Sequence, residues 1–311
     1  IGNVLNTFFV AVLNILLLLV LKEGIEGYLK AYIIANLLTA IYAIIAGKGY
    51  RSFYSLRIDK KLLLQMVKYS IVLIPNSFMW WIMNSSDRIM VSGMVSVAAN
   101  GIYAVSYKLP TLVSTLTTIF NQAWSYSAIR EEGTEDESEY NNKIFKALIG
   151  MVMLIGIGLL TFAKPFLSVY VSKEYYVAWK YMPFLTVGCV YLTMASFMAT
   201  SYTVHKDSFG YLFSGMFGAI FNVVMNFVLI PLIGVYGAAI ATCISYILVF
   251  VFRLFHTRKY IRYNIYNKEF IVGSAILILS ACMMFINNRI GFILQLILLA
   301  VTVYLFSDVW L

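Results

Sequence analysis

Apolar residues fill ten long stretches of this chain, roughly 2–21, 28–46, 64–90, 98–128, 144–163, 176–203, 209–230, 235–255, 270–286 and 290–308, and the polar segments between them are short. An apolar run of 18 or more residues is long enough to cross the ~30 Å hydrocarbon core of a bilayer as a helix. The pattern predicts an all-α polytopic membrane protein with about ten transmembrane helices. The stretches 64–90 and 98–128 exceed a single crossing and are expected to tilt or to project past the membrane. No polar block is large enough to house a separate soluble enzyme.

Composition agrees. Of 311 residues, 61% are hydrophobic and only 12% charged, and the mean hydropathy is +0.84. A soluble domain is nearer half apolar and a quarter charged. The net charge of +9 would point to nucleic acid in a soluble protein. Here the basic residues fall in short loops, so they read as topogenic, and no basic soluble face exists to hold a duplex. One set of loops, including Lys48, Arg51, Lys60, Arg130, Lys206, Arg253 and Lys259, carries fifteen Lys and Arg, and the alternate set carries seven. That bias places the richer set, and both chain ends, on the cytoplasmic side of the cell membrane. Cys189, Cys243 and Cys282 lie singly in apolar spans without metal-ligand or redox spacing. Residues 1–21 lack the basic flank and the small-residue cleavage site of a signal peptide, so the chain reads as one entered midway.

Two polar segments stand apart. Residues 47–61 are basic and read as a linker between helical bundles. Residues 131–139 hold six acids, Glu131, Glu132, Glu135, Asp136, Glu137 and Glu139, and read as a solvated loop.

An ionisable side chain inside a span is a functional candidate, because placing its charge there costs at least ~2.5–3.5 kcal/mol. Lys108 lies about ten residues into the fourth span, roughly 15 Å along a helix. On a continuous helix Lys108, Thr111, Thr115, Thr118 and Gln122 share one arc of about 80°. Such a stripe must face protein or water. In the third span Asn76, Trp80, Asn84 and Asp87 share a face, with Asp87 near the outer end and expected to partner Arg88 or a headgroup. Two polar-faced neighbours predict a shared cavity, to which Lys108 gives a positive charge. Pro75, Pro110 and Pro183 are expected to kink their spans, as fixed bends or as hinges. Tyr211, Gly215, Gly218, Asn222 and Asn226 share a face of the seventh span and, with Gly234 to Ala239 opening the eighth, read as close helix packing. His205 and His256 lack metal-ligand spacing, and no phosphate-binding or hydrolase motif occurs; no cofactor or metal is expected.

Ser86 to Val91, then Asn100-Gly101-Ile102-Tyr103-Ala104-Val105-Ser106-Tyr107-Lys108-Leu109, resembles the start of the second lobe of polysaccharide-export flippases. Gln122-Ala123-Trp124 is similar to the end of the following helix in that family. Asn226, Ile230-Pro231 and Gly234 to Thr242 are similar to its later hairpin. The resemblance, to O-antigen-type oligosaccharide flippases within the multidrug/oligosaccharidyl-lipid/polysaccharide exporter superfamily, runs over almost the whole chain. It implies two six-helix lobes, twelve to fourteen helices in all, and a basic central cavity for an undecaprenyl-diphosphate-linked sugar. The ten spans would match helices five to fourteen. The implied organisation is 1–46 as the end of the first lobe, 47–63 as a cytoplasmic linker, 64–256 as the second lobe and 257–311 as two extension helices. Expected partners are the lipid-linked oligosaccharide, membrane lipid and other polysaccharide assembly proteins. Two alternatives stand beside this reading. One is a cation-coupled multidrug exporter of the same superfamily, a type that usually needs membrane acids, of which Asp87 is the only one near the interior of a span. The other is a polytopic enzyme such as a polysaccharide polymerase, which would need a larger outer loop or an intramembrane His/Asp cluster.

Overall fold

A computed structural model describes residues 2–48, 59–286 and 288–307, and among these the regular structure is entirely helical. Most of the basic linker expected at 47–63 lies outside the described residues. Two compact units divide the chain, residues 1–65 and 66–311.

The first unit contains an antiparallel helical hairpin. Helix α1 (Gly2–Asn14) runs on through a π-helical stretch, Ile15–Val20, to a turn in which Lys22 and Gly24 take φ of 55° and 59°. Helix α2 is Gly24–Ala46. Gly27, Ala31 and Ala35 are buried, and a Cβ on Gly27 would stand 3.2 Å from that of Leu17. Small side chains at this spacing let two backbones approach where lipid offers no hydrophobic drive to association. Asn6 Nδ2 donates across the hairpin to Asn36 Oδ1 at 3.1 Å and to Thr39 Oγ1 at 3.2 Å. The remaining surface is large and apolar, including Ile25, Ile33 and Leu37.

The second unit takes up most of α3 (Lys60–Met94) and then α4 (Val97–Lys108), α5 (Pro110–Arg130), α6 (Glu137–Tyr170), α7 (Met182–Met198), α8 (Thr200–Val204), α9 (Ser208–Ile233), α10 (Val235–His256), α11 (Lys268–Met283) and α12 (Arg289–Leu305). Six described helical stretches are long and apolar enough to cross a membrane, and the ends 2–18 and 289–305 add shorter apolar helices. The expected span 98–128 is split in two, and 176–203 into a 3-10 turn (Tyr176–Lys180), α7 and α8. Proline marks the start of α5 and of α7. Pro110 and Pro183 occupy the first turns of α5 and α7, where a missing N–H costs nothing. They start helices, whereas Pro75 lies inside α3.

Helix α7 is buried on nearly every side, as expected of a helix that is apolar all round. It packs through Gly188, whose absent Cβ would meet Cys243 Cα at 3.0 Å. Trp124, Phe145, Phe197 and Tyr263 form an aromatic knot beside it, with the Trp124 and Phe197 rings 4.8 Å apart. Helices α9 and α10 make a tight hairpin. Gly234 joins them at φ 60°, and a Cβ on Gly237 would fall 2.4 Å from the Leu229 carbonyl. At the other end of the hairpin Asp207 caps α9 by accepting from the Gly210 N–H at 2.8 Å, and it also accepts from Lys259 Nζ at 2.8 Å and Tyr260 OH at 2.9 Å.

Candidate functional site

A cavity of about 500 Å³ opens among α3, α4, α5, α7, α8, α9 and α10 of the second unit. Trp80 and Asn84 come from α3, Tyr107 from α4, and Thr111, Ser114, Asn121 and Ser125 from α5. Ser196, Thr200 and Thr203 face them from α7 and α8, and Tyr211, Tyr246 and Arg253 from the hairpin. The wall is thus mostly hydroxyl, amide and aromatic. Several hydroxyls spend their proton on their own helix: Thr111 donates to Lys108 O at 2.7 Å, Ser125 to Asn121 O at 2.7 Å and Ser196 to Leu192 O at 2.9 Å. Each keeps its oxygen as an acceptor. The Tyr107 and Tyr246 hydroxyls pair at 2.6 Å, and Tyr246 OH reaches Asn84 Oδ1 at 3.4 Å. Trp80 Nε1 and Asn121 Oδ1 are buried without a hydrogen-bond partner. An unmet buried polar atom costs ~1–3 kcal/mol, so this wall is built to be completed by a polar occupant.

Arg253 is the charged residue of that wall. It is 1% exposed. Its Nη1 donates to Ala195 O at 2.8 Å and its Nε to Ser214 Oγ at 3.1 Å, and the guanidinium carbon sits 5.3 Å from both the Trp80 and the Tyr211 ring centres.

Behind the wall lies a second polar cluster. Asp87 is 2% exposed. One carboxylate oxygen accepts from Tyr103 OH at 2.9 Å and from Thr242 Oγ1, and the other accepts from Asn226 Nδ2. Asn222 completes the cluster, accepting from Ser86 Oγ at 2.9 Å and from Asn226 Nδ2 at 3.2 Å. One carboxylate thereby ties α3, α4, α9 and α10 together. Tyr103 and Tyr107, Thr242 and Tyr246, and Asp87 and Asn84 each lie one helical turn apart, so the cluster backs directly onto the cavity.

The nine residues singled out in the sequence divide three ways. Trp80, Asn84 and Thr111 line the cavity. Asn76 and Asp87 are buried beside it, and Asp87 bonds neither Arg88 nor a headgroup but the α4, α9 and α10 side chains named above. Lys108, Thr115, Thr118 and Gln122 are exposed and outside the cavity. The expected stripe therefore needs correction. The α5 face that lines the cavity is Thr111, Ser114, Asn121 and Ser125, turned about 60° from it at 100° per residue. Lys108 is the last residue of α4 and, at 100° per residue, lies about 60° from Thr111 on the side away from Ser114, Asn121 and Ser125. The cavity's positive charge comes from Arg253, which the loop count had placed among topogenic bases. A signal for it existed: Thr242, Tyr246 and Arg253, at i, i+4 and i+11, share one face of α10. Likewise Asn222 and Asn226, read as packing, are partners of Asp87.

The fold is shared with known membrane transporters. Over 98% of this chain it superposes on a Lipid II flippase MurJ in an inward closed conformation, with a TM-score of 0.62 and 16% identity, covering 66% of that chain. Over 70% it matches a MOP superfamily transporter from Pyrococcus furiosus, with a TM-score of 0.51 and 21% identity, covering 52% of that chain. An 89-residue segment is 35% identical to an uncharacterized membrane protein, MJ1068, of Methanocaldococcus jannaschii, and covers 18% of its length. The chain thus spans about two thirds of the flippase and half of the transporter. The family described as polysaccharide biosynthesis protein matches residues 3–180, more than half of the sequence, and this multi-pass membrane chain belongs to it.

Proposed function

We propose that the protein is a membrane transporter that flips an undecaprenyl-diphosphate-linked oligosaccharide across the cytoplasmic membrane during surface polysaccharide synthesis, with both ends of this chain cytoplasmic. The observation that carries the reading is the composition of the cavity. Its acceptor hydroxyls, its amides and the faces of Trp80, Tyr107, Tyr211 and Tyr246 suit a polyol, which offers many hydroxyl donors and apolar C–H faces. A hydrolytic or polymerising centre would call for nucleophile, base and acid, and the charged group here is an arginine. Family membership and the fold shared with a Lipid II flippase support the same class.

A second reading, a cation-coupled multidrug exporter, is favoured by one feature, the buried Asp87 carboxylate with neutral donors on both oxygens. The hydroxyl-rich wall argues against an apolar drug as cargo. The test is complementation by the full-length protein in a strain lacking its own flippase. Wild type restores surface polysaccharide, and Asn121→Leu, which removes a cavity amide at similar volume, lowers it several-fold at equal membrane level. Normal export with Asn121→Leu, or drug resistance in place of polysaccharide, would remove the cavity from the account.

A further inference from the structure

Seven Lys and Arg residues belong to the sparser set of loops, where topology does not call for them. Two of the seven, Lys164 and Arg289, line one pocket. It has a volume of about 510 Å³, lies among α6, the 3-10 turn Tyr176–Lys180 and the start of α12, and shares no lining residue with the cavity described above. Lys164 stands in the last two turns of α6, half-buried, with Nζ 4.0 Å from the centre of the Trp179 ring, which steadies it on the wall. Arg289 opens α12, and Asn288 caps that helix by accepting from the Gly291 N–H at 2.9 Å. Among the described residues no acid lines the pocket. Two cations on one wall repel each other, and an anion between them relieves the repulsion. Ser168 and Tyr176 add hydroxyls to the wall. Phe292 and Ile293 follow Arg289 at i+3 and i+4, so they share its face of α12 one turn further along, and both are exposed.

We propose that this pocket binds one anionic phospholipid, its phosphodiester between Lys164 and Arg289 and the start of an acyl chain along Phe292 and Ile293. A guanidinium takes two phosphoryl oxygens through charge-assisted hydrogen bonds, and an ammonium takes another as a point charge. The order of chemistry along α12, a charge and then an apolar turn, is that of a lipid entering the membrane from its headgroup. The level agrees. Tyr170, Tyr175, Tyr176, Trp179 and Tyr181 crowd the adjoining segment, and Tyr and Trp settle where headgroups meet hydrocarbon. A free phosphate would match the charge and leave the apolar turn uncovered. A zwitterionic headgroup brings its own cation and gains less. Under the topology proposed above, the lipid is one of the outer leaflet. Only that choice of leaflet rests on the functional reading; the pocket and its ligand stand whether or not the protein flips an oligosaccharide.

The experiment titrates purified full-length protein in neutral detergent with dioctanoyl phosphatidylglycerol, phosphatidylcholine of the same chains, inorganic phosphate and farnesyl diphosphate. Wild type should prefer phosphatidylglycerol to phosphatidylcholine by about tenfold, and Arg289→Gln should bind phosphatidylglycerol about fivefold more weakly, the usual share of one basic residue at an anionic surface. Arg289→Lys should recover part of that loss. Lys173→Gln, which removes a base of the same loop set that does not line the pocket, should bind as wild type does. Equal affinity for the two lipids, no change in Arg289→Gln, or a loss in Lys173→Gln as large as in Arg289→Gln overturns the proposal. Inorganic phosphate that displaces phosphatidylglycerol at similar concentration would make this a free-oxyanion site and also overturn it. So would farnesyl diphosphate that binds more tightly than phosphatidylglycerol and depends on Arg289, which would give the pocket to the cargo. Arg289 is exposed, and melting curves without lipid check that its variants fold. Lys164→Gln adds the second base, with the same expected loss. Should it fail to fold, Arg289→Glu reverses the charge at the exposed position and should bind phosphatidylglycerol more weakly than Arg289→Gln does; equal affinity of those two counts against the site.

Discussion

Asp87 and Arg253 are both buried, both lack an ion-pair partner among the described residues, and both touch the α9–α10 hairpin, yet the protein handles them in opposite ways. Asp87 receives three donors from three helices, so its charge is spread over a closed network that also fastens those helices. Arg253 is left one nitrogen short, on the wall of a cavity. Counting partners therefore separates a charge that organises the fold from one that waits for something outside it. Burial alone would have treated them alike.

The contrast can be broken most readily at Asp87. Replacing it with Ala strands Tyr103, Asn226 and Thr242, at ~1–3 kcal/mol for each unmet group and less than additively. The purified protein should melt more than ~5 °C lower, and Asp87→Asn, which keeps shape and one acceptor, should lose clearly less. A melting point indifferent to Asp87→Ala would mean that those donors find other partners and that the network does not fasten the helices. Arg253→Met is the sharpening counterpart. An apolar side chain of similar length removes a buried charge, so stability should move by less than about 3 °C, or rise, while export falls. A collapse in stability would instead place Arg253 with Asp87 as a structural charge.

The smallest effect concerns Asp207, a half-buried carboxylate with a partner. Burial pushes its carboxyl up, but the hydrogen bonds from Lys259, the Gly210 N–H and Tyr260 outweigh that and hold it below its ordinary value of 3.8. The folded state then binds the proton less readily than the unfolded chain. Its stabilisation is complete above that ordinary value and fades as pH falls through the lower folded one. Melting curves taken from about pH 6 down to about pH 3 should show a smaller acid-side loss in Lys259→Met than in wild type. Identical slopes would show that this pair adds nothing measurable, the usual outcome for surface pairs.

The membrane fold was readable because its cause is one-dimensional: a helix must be apolar for the length of the hydrocarbon core, and that length can be counted along the chain. Trp80, Asn84 and Thr111 were legible as well, being polar at helical spacing inside apolar runs. The rest was lost for physical reasons. Periodicity gives relative angles on a helix but not which arc meets a neighbour, and the arc of α5 that lines the cavity is the one beside the polar stripe counted from Lys108. Arg253 sits at the end of a span, where a topogenic base and a buried one look the same. Asn222 and Asn226 are small enough to pass for packing residues, and their partner is more than 130 positions away in the chain.

The close approach at Gly237 reaches further than its own turn. Because the backbone of Leu229 and Ile230 leaves no room for a Cβ there, α9 and α10 have one axial alignment. Asn226 and Thr242 meet at Asp87 only in that alignment, and Ser214 meets Arg253 only in the same one. The two contacts are about 16 Å apart along α10 at ~1.5 Å per residue, so a slip of one residue would spoil both at once. A single missing methyl group thus calibrates, like a stop on a sliding scale, the positions of a negative and a positive charge it never touches.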